Sequence, residues 1–141
     1  MSDTNDIRLI KISVPAQPDR LKLIRSAVAA AAETVGCSEN CRMDIVMAVD
    51  EACQNIIRHG YKNDPDGAIV VDVRRAGDTL VIKLIDYAQP VDVEKVKPRD
   101  LADVRPGGLG VHIIREVMDE AEFKKPPEGV GNLLELTKKI A

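Results

Sequence analysis

The sequence predicts an α/β (α+β) two-layer sandwich, a mixed or mainly antiparallel sheet covered by three helices, and three observations carry that expectation. Stretches with the two-residue period of strands and the three-to-four-residue period of helices follow one another in the order β-α-α-β-β-loop-α-β. The second and third strand-like runs are joined by Ala76-Gly77-Asp78, so a hairpin is the economical connection. Apolar residues make up 45% of the 141 residues, which suits one continuous core and leaves too short a chain for two ordinary ones. A single domain over residues 1–141 is the expected organisation.

Residues 8–14 are short, β-branched and partly alternating, and Pro15 stops them as a strand. After Pro18-Asp19, Leu21, Ile24, Val28, Ala31 and Val35 recur at helical spacing, with Gly36 as the stop. Ser38 or Asn40 can cap a second helix whose stripe is Ile45, Val49, Ala52 and Ile56, running through His59 to an end at Gly60. Asn63-Asp-Pro-Asp-Gly67 is turn chemistry, and residues 69–74 and 79–85 are the hairpin strands. From Gln89 to Pro106 periodicity vanishes into prolines and charges, a loop long enough to be functional. A third helix starts after Gly107-Gly108 and runs to about Met118, and residues 133–140 form the closing strand.

Composition excludes several classes. Aromatics are limited to Phe123, Tyr61 and Tyr87, so the core must be aliphatic. A net charge of -3, with no basic patch interleaved with aromatics, argues against a nucleic-acid partner. No apolar run is long enough to cross a bilayer and the acidic start lacks a leader pattern, so no membrane association and a cytoplasmic location are expected. Cys37, Cys41 and Cys53 lack the partners for a zinc site and are expected to be reduced thiols. His59 and His112 fall on different helices with no serine elbow or Cys/His pattern, which suits surface or packing roles. The Met43/Met47 spacing reads as core, and Tyr61 as a cover for a helix end.

Three groups of residues suggest chemistry together, although each is weak singly. Glu51 and Asn55 are four apart on the second helix, so a carboxylate and an amide share one surface. Asp86 ends the hairpin's apolar second strand, where a carboxylate can accept a hydrogen bond from an exocyclic amine. Gly107-Gly108-Leu109-Gly110 offers unobstructed backbone N–H groups at a helix N-terminus, where the free donors and the helix dipole favour phosphate. Neither a G-x-x-x-x-G-K-[ST] loop nor a complete dinucleotide fingerprint is present.

The stretches MAVDEACQNIIRHGY, IDYAQPVD and PGGLGVHIIREVMDE resemble, in order and separation, the conserved boxes of the GHKL ATP-binding superfamily, and most closely its bacterial anti-sigma-factor serine/threonine kinases. The resemblance implies a Bergerat-type ATP-binding fold with ATP and Mg²⁺ as cofactors. It implies Glu51 as general base and Asn55 as the Mg²⁺ ligand. Asp86 would bind the adenine amino group, and Gly107, Gly108, Leu109 and Gly110 would flank the phosphates. Residues 92–106 would be a lid whose Arg105 or Lys97 meets phosphate charge, and Thr137, in the final GNLLELTKK, joins the nucleotide-contacting set. The implied partners are a sigma factor, an anti-sigma antagonist as phosphorylation substrate, and a second copy in a homodimer. The alternative is a non-catalytic switch on the same fold. One departure stands out: Ala88 replaces a glycine usual two residues after the aspartate, and a positive φ there would strain alanine.

Overall fold

The structure, a computed structural model, describes residues 6–90 and 108–140, and of residues 108–112 the backbone alone. Strand β1 (Asp6–Pro15) leads through a 3₁₀ turn into helices α1 (Leu21–Thr34) and α2 (Glu39–Asn55), the latter extended by a π-helical turn (Ile56–Gly60). The hairpin β2 (Ala68–Ala76) and β3 (Thr79–Asp86) follows. Helix α3 (Gly108–Val117) and strands β4 (Glu120–Lys124) and β5 (Asn132–Lys139) complete the order. The strands lie side by side as β1-β2-β3-β5-β4, and every pairing is antiparallel. The sequence left a mixed sheet open; the described strands contain no parallel pair.

Helix α2 lies between α1 and α3 against one face of this sheet. Its stripe of Ile45, Val49 and Ala52 is buried, as is Cys53 beside it. Ser38 is the N-cap, its Oγ accepting from the Cys41 amide at 3.1 Å, a bond of the kind that contributes about 1 kcal/mol. Arg25 of α1 donates to Asp50 of α2 at 2.8 Å. Opposite the helices, Ile69, Val71 and Val73 of β2, Leu80, Ile82 and Leu84 of β3, and Leu136 of β5 are fully buried. The core is aliphatic, as composition required. On the sheet's other face the buried Asp72 is held by the Nε atoms of Arg8 and Arg74, each at 3.3 Å.

Two expectations are corrected. Strand β4 was not expected: it is a five-residue edge strand in which only Ala121 and Phe123 are shielded, the other three residues being exposed and charged, so its apolar signal is two residues long. Met43 and Met47 are not core, being 56% and 45% exposed on the outer side of α2.

Candidate functional site

The alternation that buries Leu80, Ile82 and Leu84 continues to Asp86, so the carboxylate at the end of β3 also faces the helices and is only 4% exposed. Its Oδ1 accepts from the Ala88 amide and from Asn132 Nδ2, both at 3.0 Å. Burial pushes the Asp86 pKa above the usual carboxylate range, and these two hydrogen bonds only partly offset that. Asn132 stands directly opposite Asp86 in the β3–β5 register, and its Nδ2 also donates to the Gln89 carbonyl at 3.0 Å. The Gly131 amide donates to the Asp86 carbonyl at 2.9 Å. A Cβ at Gly131 would lie 2.0 Å from the Ala88 carbonyl oxygen, so this approach requires glycine.

Ala88 is unstrained, because Lys62 and Asn63 are the non-glycine residues with positive φ among those described. Its methyl occupies space left by Gly60, where an added Cβ would stand 3.3 Å from it. The substitution for glycine is accommodated by packing.

The end of α2 forms the facing wall. Ala52, Asn55 and Ile56 border a cavity of about 360 Å³ that runs to Asp86 and Asn132, with Leu134 and Phe123 from the sheet and Ile114 from α3 also lining it. This is the size of a small-ligand pocket. Asn55 Oδ1 is buried and has no hydrogen-bond partner among the described residues. A native fold rarely leaves such an oxygen unsatisfied unless a ligand or water completes it. A neutral hard oxygen is also the donor type that Mg²⁺ accepts, so the residue fits that ion. Glu51, one turn earlier, is partly buried and is not itself among the residues bordering the cavity.

The structure thus brings Asp86 and Asn55 to one cavity. Gly108, Leu109 and Gly110 form the first turn of α3; Gly107, Lys97, Arg105 and the expected lid over residues 92–106 lie outside the described residues, as does the His112 side chain. Thr137 is not brought to the cavity. In β5 the cavity and core side is taken by Asn132, Leu134 and Leu136, and the odd-numbered Thr137 borders a charged crevice with Glu120, Glu122, Lys124 and Glu135 on the opposite face. Asn132 is the residue that sequence reading missed. Its parity with Leu134 and Leu136, and its place after a glycine turn, were the available signals. Lys62 and His59 also border the cavity, both exposed. The three cysteines are free thiols; burial pushes Cys37 up to about 11 and raises Cys53 further. No three-residue metal cluster occurs among the described residues.

A five-stranded antiparallel sheet under three helices is matched by known proteins. The family described as the histidine kinase-like ATPase domain matches residues 14–138, and the chain belongs to that family. Its relatives include serine-protein kinase RsbW of Bacillus subtilis, 30% identical over 85% of this chain and 80% of that protein. RsbW of Halalkalibacterium halodurans is 31% identical over 92% of this chain and 82% of its own length. Among solved structures, the SiaB–SiaC complex from Pseudomonas aeruginosa superposes with a TM-score of 0.66 at 20% identity, covering 97% of this chain and 93% of the other. The RsbU and RsbW domains of Rv1364c from Mycobacterium tuberculosis give 0.67 at 22% identity over 93% of this chain, which spans 31% of that longer one. The resemblance carried by the three sequence stretches, including its kinase branch, is borne out.

Proposed function

We propose that this chain is an anti-sigma factor serine/threonine-protein kinase that binds a sigma factor and phosphorylates a serine or threonine of an anti-sigma antagonist with Mg-ATP. The observation that carries the reading is the cavity with the buried Asp86 and the unpartnered Asn55 Oδ1 on its walls, Asn55 lying one helical turn from Glu51. The RsbW relatives, named serine-protein kinases, support the reaction class.

In this reading Asp86, held by Asn132 and the Ala88 amide, accepts from the adenine amino group. The apolar walls from Ile56, Ile114, Phe123 and Leu134 enclose the base. Asn55 Oδ1 ligates Mg²⁺, which when bound neutralises phosphate charge. Glu51 takes the proton of the incoming hydroxyl as its oxygen bonds to the γ-phosphorus and the bond to the β-phosphate oxygen breaks, and then passes that proton to solvent. The backbone N–H groups of Gly108, Leu109 and Gly110, in the first turn of α3, would donate to the phosphates.

The test is phosphotransfer by the purified protein to its antagonist in the presence of Mg-ATP. Transfer is expected from wild type, and Glu51→Ala should lower the rate by roughly 100-fold or more. Nucleotide binding without transfer would replace the kinase with the non-catalytic switch. Absence of binding would overturn both the nucleotide site and the kinase.

A further inference from the structure

Tyr61 lies just beyond the π-helical turn that follows Asn55, and its hydroxyl makes two hydrogen bonds. It donates to the Ala68 carbonyl at 2.7 Å and accepts from the Tyr87 amide at 2.7 Å. One oxygen therefore ties the first residue of β2 to the peptide immediately after Asp86. The ring is held as closely as the hydroxyl: a Cβ at Gly67 would come within 2.5 Å of its edge. The Tyr61 amide donates back to the Ile56 carbonyl at 2.8 Å, anchoring the residue to the helix end that carries Asn55. Burial raises the Tyr61 pKa, which keeps the phenol protonated and able to donate.

These contacts form a chain from the Asn55 wall of the cavity to the Asp86 wall. The backbone of Tyr61 follows the end of α2, and its hydroxyl fixes the peptide between Asp86 and Ala88. The Asp86 carboxylate is aimed in part by the Ala88 amide, so its direction depends on where that turn sits.

We infer that Tyr61 is a positioning residue for base recognition, its hydroxyl locking the Asp86–Ala88 turn against the end of α2 so that the carboxylate meets the base in one orientation. The inference rests on the adenine-nucleotide reading above. Tyr61 does not touch the base; it acts through Asp86.

Tyr61→Phe keeps the ring and removes only the hydroxyl. The measurements are the affinities of wild type and variant for ATP and GTP, the rate at saturating ATP, and hydrogen exchange at the Tyr87 amide. The variant should bind ATP roughly 5- to 10-fold more weakly, which is about what one lost hydrogen bond is worth. Its preference for ATP over GTP should fall by a similar factor, while the saturated rate stays within about 2-fold. The Tyr87 amide should lose protection. Gly67→Ala, which keeps the hydroxyl but displaces the ring, should shift nucleotide preference in the same direction. A lower melting temperature with wild-type ATP affinity and unchanged ATP/GTP ratio would show a merely structural role and overturn the inference. Unchanged exchange at Tyr87 would also overturn it. Failure of wild type itself to prefer ATP would overturn the adenine reading, and the role of Tyr61 with it.

Discussion

The chemistry of the site turns on how much it costs to keep Asp86 where it is. Because burial raises its pKa, the folded state binds the carboxyl proton more tightly than the unfolded chain does. Stability therefore falls as pH rises from the ordinary carboxylate pKa through the raised one, and it stays lower above that window. Asp86→Asn removes this penalty while its amide oxygen can still accept from Asn132 and Ala88. Thermal melts of the nucleotide-free proteins should show the variant as stable as wild type at low pH and more stable at neutral pH. Titration should show its ATP affinity reduced roughly 10- to 100-fold, the value of a hydrogen bond to a charged group. A residue that lowers the stability of its own fold and is still surrounded by donors is what the proposed base-binding role of Asp86 calls for.

Between elements, the connections divide into those that build the scaffold and those that build the site. Ser38→Ala should cost about 1 kcal/mol through the lost cap, lower the melting temperature by about 2–8 °C, and leave nucleotide affinity unchanged, as melting and binding measured side by side would show. Most of this scaffold was legible in the sequence. The buried stripe of α2, the Ser38 cap and the hairpin all have local causes: a period, a side chain that bonds a nearby amide, a two-residue turn. Asp86 was legible as the carboxylate that ends the apolar second hairpin strand, and the structure adds that it continues the buried parity of Leu80, Ile82 and Leu84. What was not legible depended on partners distant in sequence. Strand β4 pairs with β5 through backbone groups and carries only Ala121 and Phe123 inward. Asn132 matters only because the register sets it opposite a residue 46 positions away. Thr137 was assigned to the nucleotide by its place in a matching stretch, and strand parity turns it to the far face. The exposed Met43 and Met47 show the same limit, because helical spacing identifies a face without saying whether that face is covered.

At the scale of the whole molecule, the cavity joins α2, α3 and the β3–β5–β4 side of the sheet, so a ligand there should stabilise all of them together. At a hundredfold excess over its dissociation constant, Mg-ATP should add about 2.7 kcal/mol, raising the melting temperature by roughly 5–15 °C for a chain of this size. Differential scanning calorimetry with ATP, with and without Mg²⁺, checks this; Asn55→Ala should lose most of the difference made by the metal. The purely aliphatic core has a further consequence, for spectroscopy. The chain has no tryptophan and two tyrosines. Both adjoin the candidate base-binding turn: Tyr87 is the residue after Asp86, and the hydroxyl of Tyr61 is bonded to the Tyr87 amide. Tyrosine emission from this protein therefore originates beside Asp86, with no indole to absorb it. Unlabelled protein carries its own optical reporter at the turn, and Tyr61→Phe leaves Tyr87 as a single chromophore through which nucleotide arrival can be timed.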